Sequence, residues 1–325
     1  MKHIISAKQF KDTLILDKVL DLAGHLETSA ENGALGEPLR GMVMATLFYE
    51  PSTRTRLSFE SAMVKLGGSV IGTESAGHFS SVVKGESLRD TIKVVGGYAD
   101  VIVLRHFEEG SAYEAASVSS VPVINAGDGP GQHPTQALLD MYTIKKELGR
   151  LDDLKVAFVG DLMYGRTVHS LAYLLAQRKG VKFFFVSPED IRMRRDFITH
   201  LDGWGVPYLE LSNLMEIIRE VDVLYVTRIQ KERFRSMEDY ERIKDVYSIN
   251  KDVISKMKEK SIIMHPLPRV NELNEEIDDD NRAVYFKQAK NGLYVRMALL
   301  TILLKWELDD RNYKIDKYMG SGEQE

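Results

Sequence analysis

Residues 42–72 read MVMATLFYEPSTRTRLSFESAMVKLGGSVIG. Met42–Phe48 is a near-continuous apolar run, the pattern of a strand covered on both faces in a parallel sheet. In Thr53–Leu66, Phe59, Ala62, Met63 and Leu66 recur at i, i+3, i+4 and i+7, one apolar helical face, and Gly67-Gly68 stops the helix. Ser69–Gly72 resumes as a second strand. Strand, helix and strand in such short compass form a parallel crossover.

The same grammar continues along the chain. Val101–Leu104 and Val121–Asn125 complete the first half, and Lys155–Val159, Phe183–Val186, Val223–Thr227 and Ser261–Met264 supply the second. In Pro134–Leu148, Ala137, Met141, Ile144 and Leu148 share a face, with Pro134 at the first helical position and Gly149 past the end. The expected fold is α/β, two doubly wound parallel-sheet domains of similar size with about four strands each. The polar Gly149-Arg150-Leu151-Asp152-Asp153 marks the junction, giving domains 1–149 and 150–291. Leu293–Leu308 is apolar almost all round and so predicts a buried C-terminal helix returning to the first domain, with 292–310 packing back. A disordered tail is expected over 320–325.

Composition removes several classes of function. The chain has 325 residues, 44% hydrophobic and 28% charged, an ordinary globular balance. Its net charge of −5 argues against a globally basic nucleic-acid binder, so no nucleic acid partner is expected. With no cysteine, the chain forms no disulfide, thiolate nucleophile, iron–sulfur cluster or cysteine zinc site. The opening MKHIISAKQF has no apolar signal core, and Met297–Leu304 is far short of the roughly 20 residues that span a bilayer. The expectation is a cytoplasmic protein with no membrane partner.

Ligands of open α/β sheets bind outside the carboxyl ends of the strands. In the first half those ends carry Glu50-Pro51-Ser52-Thr53-Arg54-Thr55-Arg56, Arg105-His106, and the run from Asn125 to Gln136 that includes His133. In the second half they carry Gly160–Arg166, Arg228-Ile229-Gln230 and His265-Pro266-Leu267-Pro268-Arg269. An acidic protein that gathers arginine and histidine at its strand ends is expected to take anionic ligands there.

Ser52–Arg56 offers hydroxyls, a helix N-terminus and guanidinium groups to a phosphate, and is equally readable as a hydroxyl-capped helix with surface arginines. It is not a P-loop. Val159–Gly165 has glycine only at Gly160 and Gly165, too few for a dinucleotide fingerprint. His133 can belong to a helix-capping arrangement with Gln136 or donate to a ligand carbonyl. His265 reads as structural. The eight histidines show no metal-ligand spacing, so no metal and no cofactor are expected. Lys231–Asp245 and Glu272–Asp280 read as solvated charged loops. Ser75–Glu86 is a long polar loop with Lys84 near its end, a surface loop or else a lid or partner contact, followed by Ser87 as a helix cap with Asp90 third.

Taken together, Ser52-Thr53-Arg54-Thr55-Arg56, His133-Pro134-Thr135-Gln136 and His265-Pro266-Leu267-Pro268-Arg269 resemble the signatures of the aspartate and ornithine carbamoyltransferases, in order, in spacing and over about residues 1–310. Ornithine enzymes usually carry His-Cys-Leu-Pro and Ser-Met-Gly, whereas this chain has His265-Pro266-Leu267-Pro268, and its Ser236-Met237 is followed by Glu238. Thr227–Arg233 and Val159–His169 are similar to the aspartate branch, and an arginine suits a carboxylate while repelling an ornithine ammonium. Ornithine or another amino acid remains the alternative acceptor. Phe107, where the family often has Pro, and Gly129-Pro130-Gly131 are small departures.

The resemblance implies transfer of the carbamoyl group of carbamoyl phosphate to the amino group of L-aspartate, a committed step toward pyrimidines. By the same resemblance Ser52, Thr53, Arg54 and Thr55 hold the phosphate with Arg105, while Thr55, Arg105 and His133 contact the carbonyl oxygen. Gln136 and the backbone carbonyls of Leu267 and Pro268 receive the carbamoyl amide. Arg166, Arg228 and Gln230 bind aspartate, and Ser80 and the catalytic Lys84 reach in from a neighbouring subunit of a homotrimer with shared active sites. Separate regulatory chains are a possible further partner. Domain closure is implied, and the departing phosphate is the expected acceptor of the amine proton, because no side chain stands out as a base.

Overall fold

The computed structural model describes residues 1–74, 85–229 and 247–305. The chain forms two compact units, one of Met1–Leu138 with the segment from Gly292 onward, the other of Leu139–Asn291.

In the first unit the strands are β1 (Val43–Phe48), β2 (Ser69–Glu74), β3 (Val101–His106) and β4 (Val123–Asp128), all parallel in the order β2-β1-β3-β4. Its helices are α1 (Thr13–Glu31), α2 (Thr53–Lys65), α3 (Leu88–Val95) and α4 (Ser111–Val118). β3 and β4 run past the expected Leu104 and Asn125, because the backbone ladder continues under polar side chains that end the apolar pattern; all six residues of each strand are buried. Ala45, Leu47, Ile102, Leu104 and Val123 from the sheet pack with Ile92, Ala112 and Ala115 from the helices. Burial of this kind stabilises by about 25 cal/mol for each Å² of apolar surface removed from water. The Ser87 side chain caps α3 as expected, accepting from Asp90 N–H at 3.2 Å.

The second unit holds β5 (Lys155–Val159), β6 (Lys182–Val186), β7 (Tyr208–Leu211), β8 (Val223–Val226) and β9 (Ile262–Met264), parallel in the order β7-β6-β5-β8-β9. Five strands rather than four is a correction. The missed β7 is at one edge of the sheet; it reads Tyr-Leu-Glu-Leu and none of its residues is fully buried, so it lacks the apolar run of its neighbours. Two helices cross from one unit to the other, α5 (Pro134–Leu148) and the C-terminal helix; between them in sequence lie α6 (Arg166–Leu175), α7 (Arg195–Trp204) and α8 (Lys251–Ile254). The C-terminal helix, α9 (Tyr285–Lys305), starts eight residues before the apolar run, its first two turns being polar yet buried at Gln288 and Asn291. Its later part returns to the first unit, where the Arg296 guanidinium lies 5.0 Å over the Phe59 ring of α2. Residues 306–310 and the expected tail 320–325 lie outside the described residues.

Candidate active site

In each parallel sheet the order in which the chain adds strands reverses at one place, and there neighbouring strands lead their loops apart. In the first unit that switch lies between β1 and β3, where Phe48 pairs with Arg105. The residues following β1 open α2. Ser52 is its N-cap but makes no side-chain cap bond; its hydroxyl donates instead to Thr55 Oγ1 at 3.0 Å. The expected hydroxyl cap is therefore not formed, and the first amides of α2 receive nothing from it. An anion is the complement of such a helix end.

The two arginines of this segment divide. Arg56 is tied down, its Nε donating to Glu60 Oε1 at 2.8 Å, where the Thr46 hydroxyl also donates at 3.1 Å. Arg54 is at the surface, and partial burial of its head lowers its pKa from the usual arginine value. A partly desolvated cation gains by taking up an anion.

Arg105, buried at the end of β3, donates from one guanidinium nitrogen to Ala126 O at 3.1 Å and meets Glu50 Oε2 at 3.1 Å with another. His106 beside it is spent on structure: its Nδ1 accepts from Glu108 N–H at 3.0 Å and burial lowers its pKa despite three nearby carboxylates. After β4, Asp128 holds the connecting turn by accepting from Gln132 N–H at 2.7 Å and Gly110 N–H at 3.1 Å. That turn delivers His133, buried, whose carbonyl accepts from Gln136 N–H at 3.1 Å and Ala137 N–H at 3.3 Å to start α5. Ser52, Thr53, Arg54, Thr55, Arg105, His133 and Gln136 thus all fall at the carboxyl edge of the adjacent strands β1, β3 and β4.

In the second unit the switch lies between β5 and β8. Arg166, half-buried, is the first residue of α6, after a turn in which the buried Asp161 accepts from Tyr164 N–H at 3.0 Å. Arg228, also half-buried, follows β8. Gly160 allows these strand ends to close: it has φ +114°, and a Cβ there would stand 2.2 Å from Thr227 O. The incomplete dinucleotide fingerprint therefore has a packing explanation for this glycine.

β9 lies beside β8 and ends in the segment of His265, Leu267 and Pro268. The Leu267–Pro268 peptide is cis and Leu267 has φ +51°. Next to it Arg269 forms a two-pronged pair with Asp278, one contact at 2.7 Å, and lies over the Tyr285 and Phe286 rings. The Asp278 partnership raises the Arg269 pKa, and the bond from Arg269 lowers that of Asp278.

Glu272–Asp280 is consequently not a solvated acidic loop throughout. Glu272 is buried against His265 and Asp278 is engaged by Arg269, partners no local pattern reveals. Burial alone would raise Glu272, but bonds from His265 and Val270 hold its pKa below the usual carboxylate value. Sequence reasoning gave neither Glu50 nor Glu272 the partner it has, Arg105 and His265 respectively. The candidate residues Ser80, Lys84 and Gln230, and the charged stretch Lys231–Asp245, lie outside the described residues. Among the described residues no three His, Asp or Glu side chains are grouped to hold a metal ion, and no helix is long and apolar enough to cross a membrane.

Residues 2–146 match the family model "Aspartate/ornithine carbamoyltransferase, carbamoyl-P binding domain" and residues 152–303 match "Aspartate/ornithine carbamoyltransferase, Asp/Orn binding domain". A chloroplastic aspartate carbamoyltransferase of Arabidopsis thaliana is 55% identical over 305 residues, 94% of this chain and 78% of the relative. The aspartate carbamoyltransferase catalytic subunit of Methanocaldococcus jannaschii is 52% identical over 94% of this chain and 98% of its own. A structure of the M. jannaschii aspartate transcarbamoylase catalytic subunit superposes with a TM-score of 0.88 at 51% identity, covering 94% of this chain and 98% of that one. The Trypanosoma cruzi aspartate transcarbamoylase in complex with N-(phosphonacetyl)-L-aspartic acid gives 0.87 at 41% identity, covering 92% and 94%. Two domain models matched in order and relatives at half identity over nearly the whole length of this chain place it in the aspartate/ornithine carbamoyltransferase family.

Proposed function

We propose that the chain transfers the carbamoyl group of carbamoyl phosphate to the α-amino group of L-aspartate, giving N-carbamoyl-L-aspartate and phosphate on the route to pyrimidines. The observation that carries this is the α2 N-terminus, whose cap hydroxyl is turned to Thr55, with Arg54 in its first turn and Arg105 at the end of the adjacent strand. Aspartate is favoured over ornithine by the arginines at the β5 and β8 ends, and the named relatives are aspartate enzymes.

In this reading Ser52, Thr53, Arg54, Thr55 and Arg105 take the phosphate. The neutral amine attacks the carbonyl carbon. Thr55, Arg105 and His133 meet the negative charge that develops on the carbonyl oxygen, and fixed donors of this kind act without reorganising. Gln136 and the Leu267 and Pro268 carbonyls receive the carbamoyl amide, and Arg166, Arg228 and Gln230 take the aspartate carboxylates. The new C–N bond forms as the C–O bond to phosphate breaks, and the phosphate leaves with the amine proton. Orientation of two anions that otherwise repel supplies much of the acceleration.

The working form is a homotrimer in the cytoplasm, with Ser80 and Lys84 entering the neighbour's site. Relatives described as catalytic subunits support a chain that serves within an assembly, including one with separate regulatory chains. The direct test is a calorimetric titration with N-(phosphonacetyl)-L-aspartate, the compound in the T. cruzi complex. One molecule bound per chain, with affinity lost in both Arg54→Ala and Arg228→Ala, is expected. Binding that ignores either substitution would overturn the reading.

A further inference from the structure

The imidazole of His265 is buried at the end of β9, and its bonds define its protonation. Nδ1 accepts from Leu267 N–H at 2.8 Å, so that nitrogen carries no proton. Nε2 therefore carries it and donates to Glu272 Oε1 at 2.8 Å. The same carboxylate oxygen accepts from Val270 N–H at 3.1 Å. One buried pair thus grips the segment on both sides of Leu267 and Pro268.

The grip is anchored deeper. His265 N–H donates to Gln288 Oε1 at 2.9 Å, and the Gln288 amide donates to Asp140 Oδ1 at 2.6 Å. The Tyr225 hydroxyl donates to Asp140 Oδ2 at 2.8 Å. β8, β9, α5 and α9 all contribute to this network, within a single unit. Leu267 needs such support, since φ +51° is a region that leucine rarely occupies and that persists only where the surroundings over-determine it. With the Leu267 N–H held by His265 and the Val270 N–H held by Glu272, the short backbone stretch that carries the Leu267 and Pro268 carbonyls is anchored at both ends.

We infer that His265 and Glu272 are positioning residues that aim the Leu267 and Pro268 carbonyls, and thereby make the site prefer a carbamoyl NH₂ to a methyl group of the same size. This rests on the proposed role of those carbonyls as acceptors for the carbamoyl amide. A merely structural pair would alter stability and leave that preference untouched.

Acetyl phosphate replaces the carbamoyl NH₂ with methyl and keeps the phosphate, so it isolates the effect. Dissociation constants for carbamoyl phosphate, acetyl phosphate and inorganic phosphate, measured by competition on the assembled protein, give the preference directly. The wild type prefers carbamoyl phosphate to acetyl phosphate. Glu272→Ala shrinks that preference by about tenfold, the value of one well-aimed hydrogen bond, with phosphate affinity unchanged. Glu272→Gln keeps an acceptor for His265 and restores the preference. Glu272→Asp, one methylene shorter and still charged, folds with the smaller perturbation and moves the ratio the same way as alanine. An unchanged ratio in folded Glu272→Ala or Glu272→Asp overturns the positioning role. A wild type without preference overturns instead the assignment of the two carbonyls.

Discussion

Gly160→Ala is the substitution whose cost can be worked most directly from the coordinates. Gly160 has φ +114°, which an L side chain rarely adopts, and its added Cβ would lie 2.2 Å from Thr227 O and 2.8 Å from Thr227 Oγ1. The ends of β5 and β8 are closely joined there, Thr227 N–H donating to Val159 O at 2.8 Å. To regain an ordinary contact the two backbones must part by about 1 Å. Overpacking of this sort costs about 1–3 kcal/mol and the positive φ about 1–2 kcal/mol more. Gly205→Ala is the matched control, with φ +67° and nothing within 4 Å of the new Cβ, so it carries the backbone cost alone. At roughly 2–4 °C per kcal/mol, Gly160→Ala lowers the unfolding midpoint by about 10 °C and Gly205→Ala by about 4 °C. Differential scanning calorimetry reads the pair. Because Thr227 carries Arg228, Gly160→Ala also raises the KM for aspartate while phosphate affinity stays. Equal midpoints for the two variants would refute the contact argument. A destabilised Gly160→Ala with unchanged aspartate KM would detach Arg228 from aspartate.

The site residues make further predictions. Arg54→Ala lowers kcat by about 10²–10³, since charge on the leaving phosphate grows in the transition state. Arg228→Ala instead raises the aspartate KM, and steady-state kinetics with an equilibrium measurement of carbamoyl phosphate binding separates the two; equal effects on both substrates would contradict the division. Arg54→Ala and Lys84→Ala chains, each nearly inactive, regain about a quarter of wild-type sites when unfolded and reassembled together, by the statistics of a closed ring of three. Mixed trimers, verified by mass spectrometry, that stay inactive would remove Lys84 from a shared site. Glu272 has a folded-state pKa below its ordinary 4.5, so its charge stabilises the fold above pH 4.5 and that contribution is lost as pH falls through the folded value. The stability advantage of wild type over Glu272→Gln, from urea unfolding at stepped pH, should therefore be full at neutral pH and vanish on acidification; an advantage that grows in acid would contradict the assignment.

The sheets were legible because a strand stretch buried on both faces leaves no polar position, as in residues 156–159 and Val223–Val226. The edge strand Tyr208–Leu211 escaped for the opposite reason, its half-exposed residues diluting the pattern. That Ser52–Thr55 and His133–Gln136 stand at the carboxyl ends of strands was readable, because each comes after an apolar run and opens a helix. Buried polar partnerships were not. Asp140 meets Tyr225 across 85 positions of sequence, and nothing near Asp140 marks it as other than a polar helix residue. Glu272 stands before a run of acids that looks solvated, and only the placement of His265 turns it inward. The arginine pair showed the converse limit: local pattern treats Arg54 and Arg56 alike, the resemblance singles out Arg54, and the Glu60 contact shows Arg56 tied to its own helix.

Carbamoyl transfer to aspartate is decided by product formation from two acceptors in competition. Purified protein is supplied with ¹³C-labelled carbamoyl phosphate and equal L-aspartate and L-ornithine, and the products are resolved by ¹³C NMR. The expected products are N-carbamoyl-L-aspartate with stoichiometric phosphate, with no citrulline above the uncatalysed rate and with product lost in Arg54→Ala. Citrulline as the main product, or carbamoyl aspartate formed equally well without Arg54, would contradict the proposed transfer.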